Sequence, residues 1–220
     1  MEIAVIADVH SNLPALEEVL KEVGDLEIFN CGDIVGYNPF PVETVELFMK
    51  RNIKSVLGNH DFTVTDTDKQ FSNTDAAKSI EWTKKMLKTP HLEYLKALPR
   101  SYSSKDFIAF HGSPQDPLNK YIYPNHPMEE FKSFLNLSKI VILGHSHIPF
   151  IKEFKEGIVF NPGSVGQPRD GNPKASFALL DTEDKKVEIK RTSYDIDRVA
   201  GEIKKQGLSK SLADRLYQGR

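Results

Sequence analysis

A chain of 220 residues with 29 Lys and Arg against 31 Asp and Glu carries a formal charge of -2, which leaves no basic excess to hold long nucleic acid by counterion release. A composition of 39% hydrophobic and 27% charged residues is that of an ordinary globule, long enough to bury its own core as one domain over residues 1–220. The single cysteine excludes a disulfide framework and an all-cysteine zinc cluster, so any bound metal must rest on His and carboxylates. The apolar runs are strand-sized, too short to cross a bilayer, and the Met-Glu start lacks the pattern of a secretory leader. A reduced, cytoplasmic setting is therefore expected, with Cys31 a buried small hydrophobe.

In chain order, runs rich in Ile, Val and Phe predict buried strands at residues 3–7, 26–30, 54–57, 107–110, 140–143 and 158–160. Between the first three lie two amphipathic helices. Asn12 caps the first, Pro14 suits its opening turn, and Leu16, Val19, Leu20 and Val23 form its apolar face. Val42, Val45, Phe48 and Met49 repeat the pattern in the second, giving a βαβαβ half with parallel strands. Residues 63–73 are polar and acidic and read as a loop. Residues 75–87 read as a helix with Ile80, Thr83 and Leu87 inward, and residues 92–98 as a further turn or two. An irregular insertion follows at 114–127, with Tyr121, Tyr123, Asn125 and His126. After a loop at 162–173, runs at 175–180 and 187–192 predict a hairpin around Glu183-Asp184. Helix broken at Gly207 closes the chain over 196–217.

Ligands in open α/β sheets bind beyond the carboxyl ends of the strands. Nearly every predicted strand here runs into a polar cluster at that end: Asp8-x-His10, Gly32-Asp33, Gly58-Asn59-His60-Asp61, His111 and Gly144-His145-x-His147. Five of the seven histidines lie in these clusters. Residues two apart on a strand share a face, so Asp8 and His10 can meet one ion. His145 and His147 can do the same, unless a bend sends them to neighbouring ions. Mixed imidazole, carboxylate and amide donors suit Mn, Fe, Zn or Ni better than Ca or Mg alone. A lone histidine is more often a satisfied core residue, and that reading is kept for His91 and His126. Trp82 is read as a packing residue, and Lys84-Lys85 and Lys185-Lys186 as solvated charge.

The ordered set closely resembles the calcineurin-like metallophosphoesterases, and the segment 161–171 is similar to their small prokaryotic phosphodiesterase-like branch. The resemblance implies an α/β fold, a four-layer α/β/β/α sandwich of two mixed β-sheets flanked by helices. It also implies two divalent metal ions, Mn2+ foremost, with Fe, Ni or Zn as alternatives. Asp8, His10, Asp33 and His147 would hold one; Asp33 would bridge to the second, held by Asn59, His111 and His145. Two such ions about 3.5–4 Å apart acidify a bridging water and steady in-line displacement at phosphorus. His60 would assist the leaving group over the substrate, Asp61 would orient that imidazole and raise its pKa, and Asn59, His60 and Arg169 would contact substrate. For Arg169, with Asn161, Gly163 and Ser164, the competing reading is a loop bracing the site floor; Tyr37-Asn38-Pro39 shapes a rim or only turns the chain. Protein Ser/Thr phosphatases of the superfamily carry phosphate-gripping arginines after the second and third motifs. Here Gly36-Tyr37 and Phe62-Thr63 stand there instead, which favours a small phosphodiester or phosphomonoester, a nucleotide among them. The partners expected are thus a small phosphorylated substrate, no membrane and no long nucleic acid, with a homo-oligomer left open. The alternative is a non-catalytic scaffold on the same fold, which degraded ligands and a lost His60 would have signalled.

Overall fold

The structure is a computed structural model that describes residues 1–66, 74–127 and 129–220. Strands β1 (Glu2–Ile6), β2 (Glu27–Asn30) and β3 (Lys54–Ser55) alternate with helices α1 (Leu13–Val23) and α2 (Pro41–Arg51). They pair in parallel, β1 with β2 and β2 with β3. Helix α3 (Asn59–Thr65) follows, so residues 63–65 continue a helix where a loop was expected; residues 67–73 of that expected loop lie outside the described residues. The cause is local. Asp61, three residues past Gly58, accepts the Gly58 N–H at 3.2 Å and nucleates the turn.

Helices α4 (Thr74–Met86) and α5 (Thr89–Lys96) come next, then β4 (Ser101–Ser103) and β5 (Ile108–Phe110). Residues 114–127 are irregular, as expected. A short 3-10 turn (Glu129–Phe131) leads into α6 (Lys132–Ser138), β6 (Ile140–Ile142), β7 (Phe150–Glu153) and β8 (Ile158–Asn161). The hairpin of β9 (Ala175–Asp181) and β10 (Lys186–Thr192) forms antiparallel as expected. The closing helix is two, α7 (Ile196–Lys205) and α8 (Lys210–Leu216), parted at Gly207, whose φ of 71 ends the first.

Two five-stranded mixed sheets result, ordered β10-β9-β1-β2-β3 and β4-β5-β6-β8-β7. The period of two along each strand sorts side chains between layers. Ile3, Val5 and Ala7 face the space between the sheets, where they meet Ala109, Ile142 and Phe160 of the second sheet. Ala4 and Ile6 point the other way, into a core with Leu16, Val19, Val45 and Phe48 of α1 and α2. Ile108, Val141 and Leu143 turn outward onto Phe131 and Leu135. Helix, sheet, sheet, helix is the four-layer architecture expected. Phe29 lies between the sheets, its ring 4.9 Å from those of both Tyr102 and Phe107; burying one such ring stabilises by about 1.5–3 kcal/mol. Trp82 packs on the cluster that seats α7 and α8 on Tyr37 and Phe40. Among the described residues no helix is long and apolar enough to cross a membrane.

Candidate metal centre

The carboxyl ends of β1, β2, β3, β5 and β6 open toward one place, and Asp8, His10, Asp33, Asn59, His60, His111, His145 and His147 follow them, all buried. The strands stop short of these residues. Asp8, His10, Asp33, His145 and His147 have φ of 53, 48, 56, 66 and 59, the left-handed region in which a side-chain-bearing residue costs about 1–3 kcal/mol. Strand alternation therefore does not govern which donors meet. The bends do: Asp8 and His10 group with His147, whereas His145 is turned away to Asp33 and His111. The alternative left open for the His145–His147 pair is the arrangement found.

Backbone hydrogen bonds between distant loops hold this strained geometry. Asp8 N–H donates to Gly32 O at 3.0 Å and His10 N–H to Asp33 O at 2.9 Å, so the first two motifs lock together. The Asp8 carbonyl accepts from Gly166 N–H at 3.0 Å and from the Ser164 hydroxyl at 2.8 Å. Asn161 Nδ2 donates to Gly144 O at 2.6 Å and to Ser146 Oγ at 3.1 Å, pinning the His145 loop. Asn161 and Ser164 thus brace the floor. Gly58 lies so close to Asp33 that a Cβ there would collide with its carboxylate.

The imidazoles are oriented from behind. His10 Nδ1 meets Val35 O at 3.0 Å, His111 Nδ1 meets Cys31 O at 2.8 Å, and His147 Nδ1 meets Gln167 O at 2.6 Å. His145 Nε2 meets Asn119 O at 3.1 Å. A carbonyl only accepts, so each outer nitrogen carries the proton and the inner one turns to the centre. His10 Nε2 and His147 Nε2 are then 3.1 Å apart. Burial pushes His10 down to about 3 and His147 well below its usual value, so both rings are neutral and two lone pairs face each other. Asp8 Oδ1, 3.3 Å from His147 Nε2, is buried without a hydrogen-bond partner among the described residues. Unshared lone pairs converging in a dry site are what a cation satisfies.

The second group lies beside the first. His111 Nε2 is 3.1 Å from Asn59 Oδ1, 3.1 Å from His145 Nδ1 and 3.3 Å from Asp33 Oδ2. Burial pushes His145 down to about 3. Burial pulls His111 down as well, but the Asp33 carboxylate and then Asp8 outweigh it and lift the ring to about 9. There a proton occupies the position that an ion would take from it. Asp33 itself is held well below the carboxylate range, its burial being outweighed by His111 and His60. The same Asp33 Oδ2 is 3.6 Å from His10 Nε2, so this one oxygen faces both groups.

A pattern of this kind has known relatives. The family model of the calcineurin-like phosphoesterase superfamily domain matches residues 1–185. The chain belongs to the calcineurin-like phosphoesterase superfamily. It is 40% identical over 242 aligned positions to the uncharacterized protein MJ0912 of Methanocaldococcus jannaschii, covering 99% of this chain and 98% of that one. It is 26% identical to the phosphodiesterase YfcE of Escherichia coli K12 over 83% of this chain and 89% of that protein. The solved metallophosphoesterase of Sphaerobacter thermophilus superposes with a TM-score of 0.85 at 34% identity, each chain covered in full. As a calcineurin-like phosphoesterase, the chain is a metal-dependent hydrolase of phosphoesters, with His and Asp groups placed to bind divalent metal.

In this calcineurin-like chain His60 lies against the first group, its ring 4.6 Å from that of His10 and 4.5 Å from that of Tyr37. It also forms a third group with His10 and Asp33. Burial pushes it down to about 3, so the rise expected from Asp61 does not arise. The hydrogen bonds of Asp61 run to backbone: Oδ1 accepts Val35 N–H at 3.0 Å, and Oδ2 accepts Ile34 and Gly58 N–H, each at 3.2 Å. These ties brace the loop after Asp33. Burial, then Asp33, pushes the Asp61 carboxyl up to about 7. An Asp61→Asn change puts an amide donor against at least one of these N–H groups and is expected to cost about 1–3 kcal/mol at pH 8. The shift in denaturant midpoint measures it; an unmoved midpoint would deny the brace.

Several residues at the rim carried no motif. Tyr37 packs on His10 at 4.7 Å, and Tyr121 of the 114–127 insertion stacks on His145 at 3.8 Å. Asn38 Nδ2 donates to His10 O at 2.9 Å. Arg169 donates to Gln167 Oε1 at 2.8 Å and to the Tyr37 hydroxyl at 3.3 Å, which sets it at the rim beside that ring. His91 Nδ1 accepts the Lys88 N–H that opens α5, and His126 bonds Glu130 at 2.6 Å, so neither joins the centre.

Proposed function

We propose that this chain hydrolyses a small phosphodiester or phosphomonoester of nucleotide size. Two divalent cations are held by Asp8, His10, Asp33 and His147 and by Asp33, Asn59, His111 and His145. The observation that carries the reading is the pair of inward donor groups joined at Asp33 Oδ2, 3.6 Å from His10 Nε2 and 3.3 Å from His111 Nε2. Manganese is the ion assigned first, with Fe, Ni and Zn suited to the same donors. When bound, the cations supply an activated water for in-line attack on phosphorus and positive charge for the phosphoryl oxygens.

The chain's own groups do the rest. His60 hydrogen-bonds the developing charge or delivers a proton to the leaving oxygen, and an arriving phosphate anion opposes the burial that keeps its pKa low. Asn59 contributes an amide oxygen without adding negative charge. Arg169 contacts the substrate from the Tyr37 side of the site. The phosphodiesterase names of relatives such as YfcE agree with a diester substrate. The test is activity of the manganese-loaded protein on bis-p-nitrophenyl phosphate, p-nitrophenyl phosphate and a nucleotide panel. Turnover on at least one is expected; a folded, metal-loaded protein inert on all of them would end the proposal.

A further inference from the structure

Arg215 belongs to α8, beyond the residues 1–185 that the family model matches, yet its guanidinium reaches the rim of the centre. Its Nη1 donates to Gln167 Oε1 at 3.4 Å, the oxygen that also receives Arg169 Nη2 at 2.8 Å and Nε at 3.3 Å. Both guanidiniums lie by the Tyr37 ring, 5.7 Å and 6.0 Å from its centroid. Arg169 also reaches the Tyr37 and Tyr121 hydroxyls, so both cations end on neutral acceptors, and neither forms an ion pair among the described residues. Two like charges on one neutral oxygen repel. Burial, and then Arg169, holds Arg215 below the usual guanidinium value, and Tyr37 and then Asp75 offset only part of this. Gln167, itself buried, leaves Nε2 without a hydrogen-bond partner among the described residues, a further donor at the same spot. Tyr37 is the wall between this cationic pair and the centre, since its ring also touches His10 and His60.

We infer that Arg169 and Arg215, joined through Gln167, form a second anion subsite that binds a phosphoryl group of the substrate other than the one cleaved. The substrate class is then an ester with at least two phosphates, such as a nucleotide bisphosphate or polyphosphate. The inference rests on the proposed phosphoesterase activity and narrows it. Charge-assisted bonds from Arg215 make its removal worth about 10–100-fold in recognition of the second phosphate.

The experiment compares two manganese-dependent substrates with the same leaving group. Bis-p-nitrophenyl phosphate has one anionic phosphate; thymidine 3′-phosphate 5′-(p-nitrophenyl phosphate) has two. The wild type is expected to prefer the second in kcat/KM, and Arg215→Ala to reduce that preference about 10–100-fold through KM, with Arg215→Lys recovering part. A wild type without preference, or an equal loss on both substrates, would overturn the subsite and leave Arg215 a structural prop. Should the wild type cleave neither ester, the catalytic reading fails by itself, and titration calorimetry with pyrophosphate decides the subsite. Weaker binding by Arg215→Ala at unchanged thermal midpoint supports it; equal binding refutes it.

Discussion

Replacing His60 with alanine is expected to reduce kcat by about 10²–10⁴ while two metal equivalents stay bound. The imidazole sits beside the first donor group, against His10 and Tyr37, and the proposed role has it meet the leaving oxygen there. The backbone at this position is held independently of the ring, because the His60 N–H donates to Asp33 Oδ1 at 2.8 Å. The alanine variant keeps that bond and therefore the Asp33 carboxylate in place. Metal analysis and single-turnover kinetics on the same preparation separate the roles. His60 also groups with His10 and Asp33, so a matched loss of metal and turnover would make it a ligand and end its assignment to the leaving group.

The Asp33→Asn change strikes the centre itself. One carboxylate oxygen faces both donor groups, and an amide in its place loses the negative charge in either orientation and in one of them points a donor toward His10 and His111. Metal content is expected to fall from two equivalents to at most one, and kcat/KM by about 10³-fold or more, the equivalent of several kcal/mol of transition-state stabilisation. The fold should persist, since an amide oxygen still accepts the His60 N–H. Loss of the anion also removes the largest of the influences that hold His111 up, so in the metal-free variant that ring should titrate below about 9, which NMR of the imidazole carbons would read. A variant with two metals and near-native turnover would overturn the bridging role.

Much of the scaffold was legible because buried strands write their period into the sequence. Residues 3–7 alternate between two apolar environments, and every second side chain from Ile3 to Ala7 finds the other sheet. β4, at a sheet edge and three residues long, has too little apolar sequence to declare itself, and α6 likewise went unseen. The metal-binding candidates were legible because each cluster lies within a few residues of a strand's carboxyl end. How they divide between the two groups depends on left-handed bends at residues that are not glycine, which no periodicity announces. Asp61 carries a second signal: an acid three residues after Gly58 marks a helix start, and the bonds it makes to backbone are those of a brace. Tyr37 and Asn38 read only as a rim or a turn, because their partners lie far off in sequence, 132 residues between Tyr37 and Arg169, and Arg215 carried no signal at all.

The ties that hold Asp8 have a consequence for how the protein is made. Its carbonyl is fixed by Ser164, 156 residues later, and Asn12 is fixed to Gly166 across 154. At translation rates of about 5–20 residues per second, Asp8 leaves the ribosome roughly 8–30 s before the residues that fix its carbonyl. For that interval Asp8 and His10 have the Gly32 and Asp33 carbonyls to hold their backbone, but not the Ser164 hydroxyl or the Gly166 N–H. If the proposed ligand set holds, the metal centre is expected to be completed late in biosynthesis, after β8 and the loop behind it have emerged. A nascent chain stalled before Ser164 would carry all seven proposed donors and is expected to bind metal more weakly than the full chain.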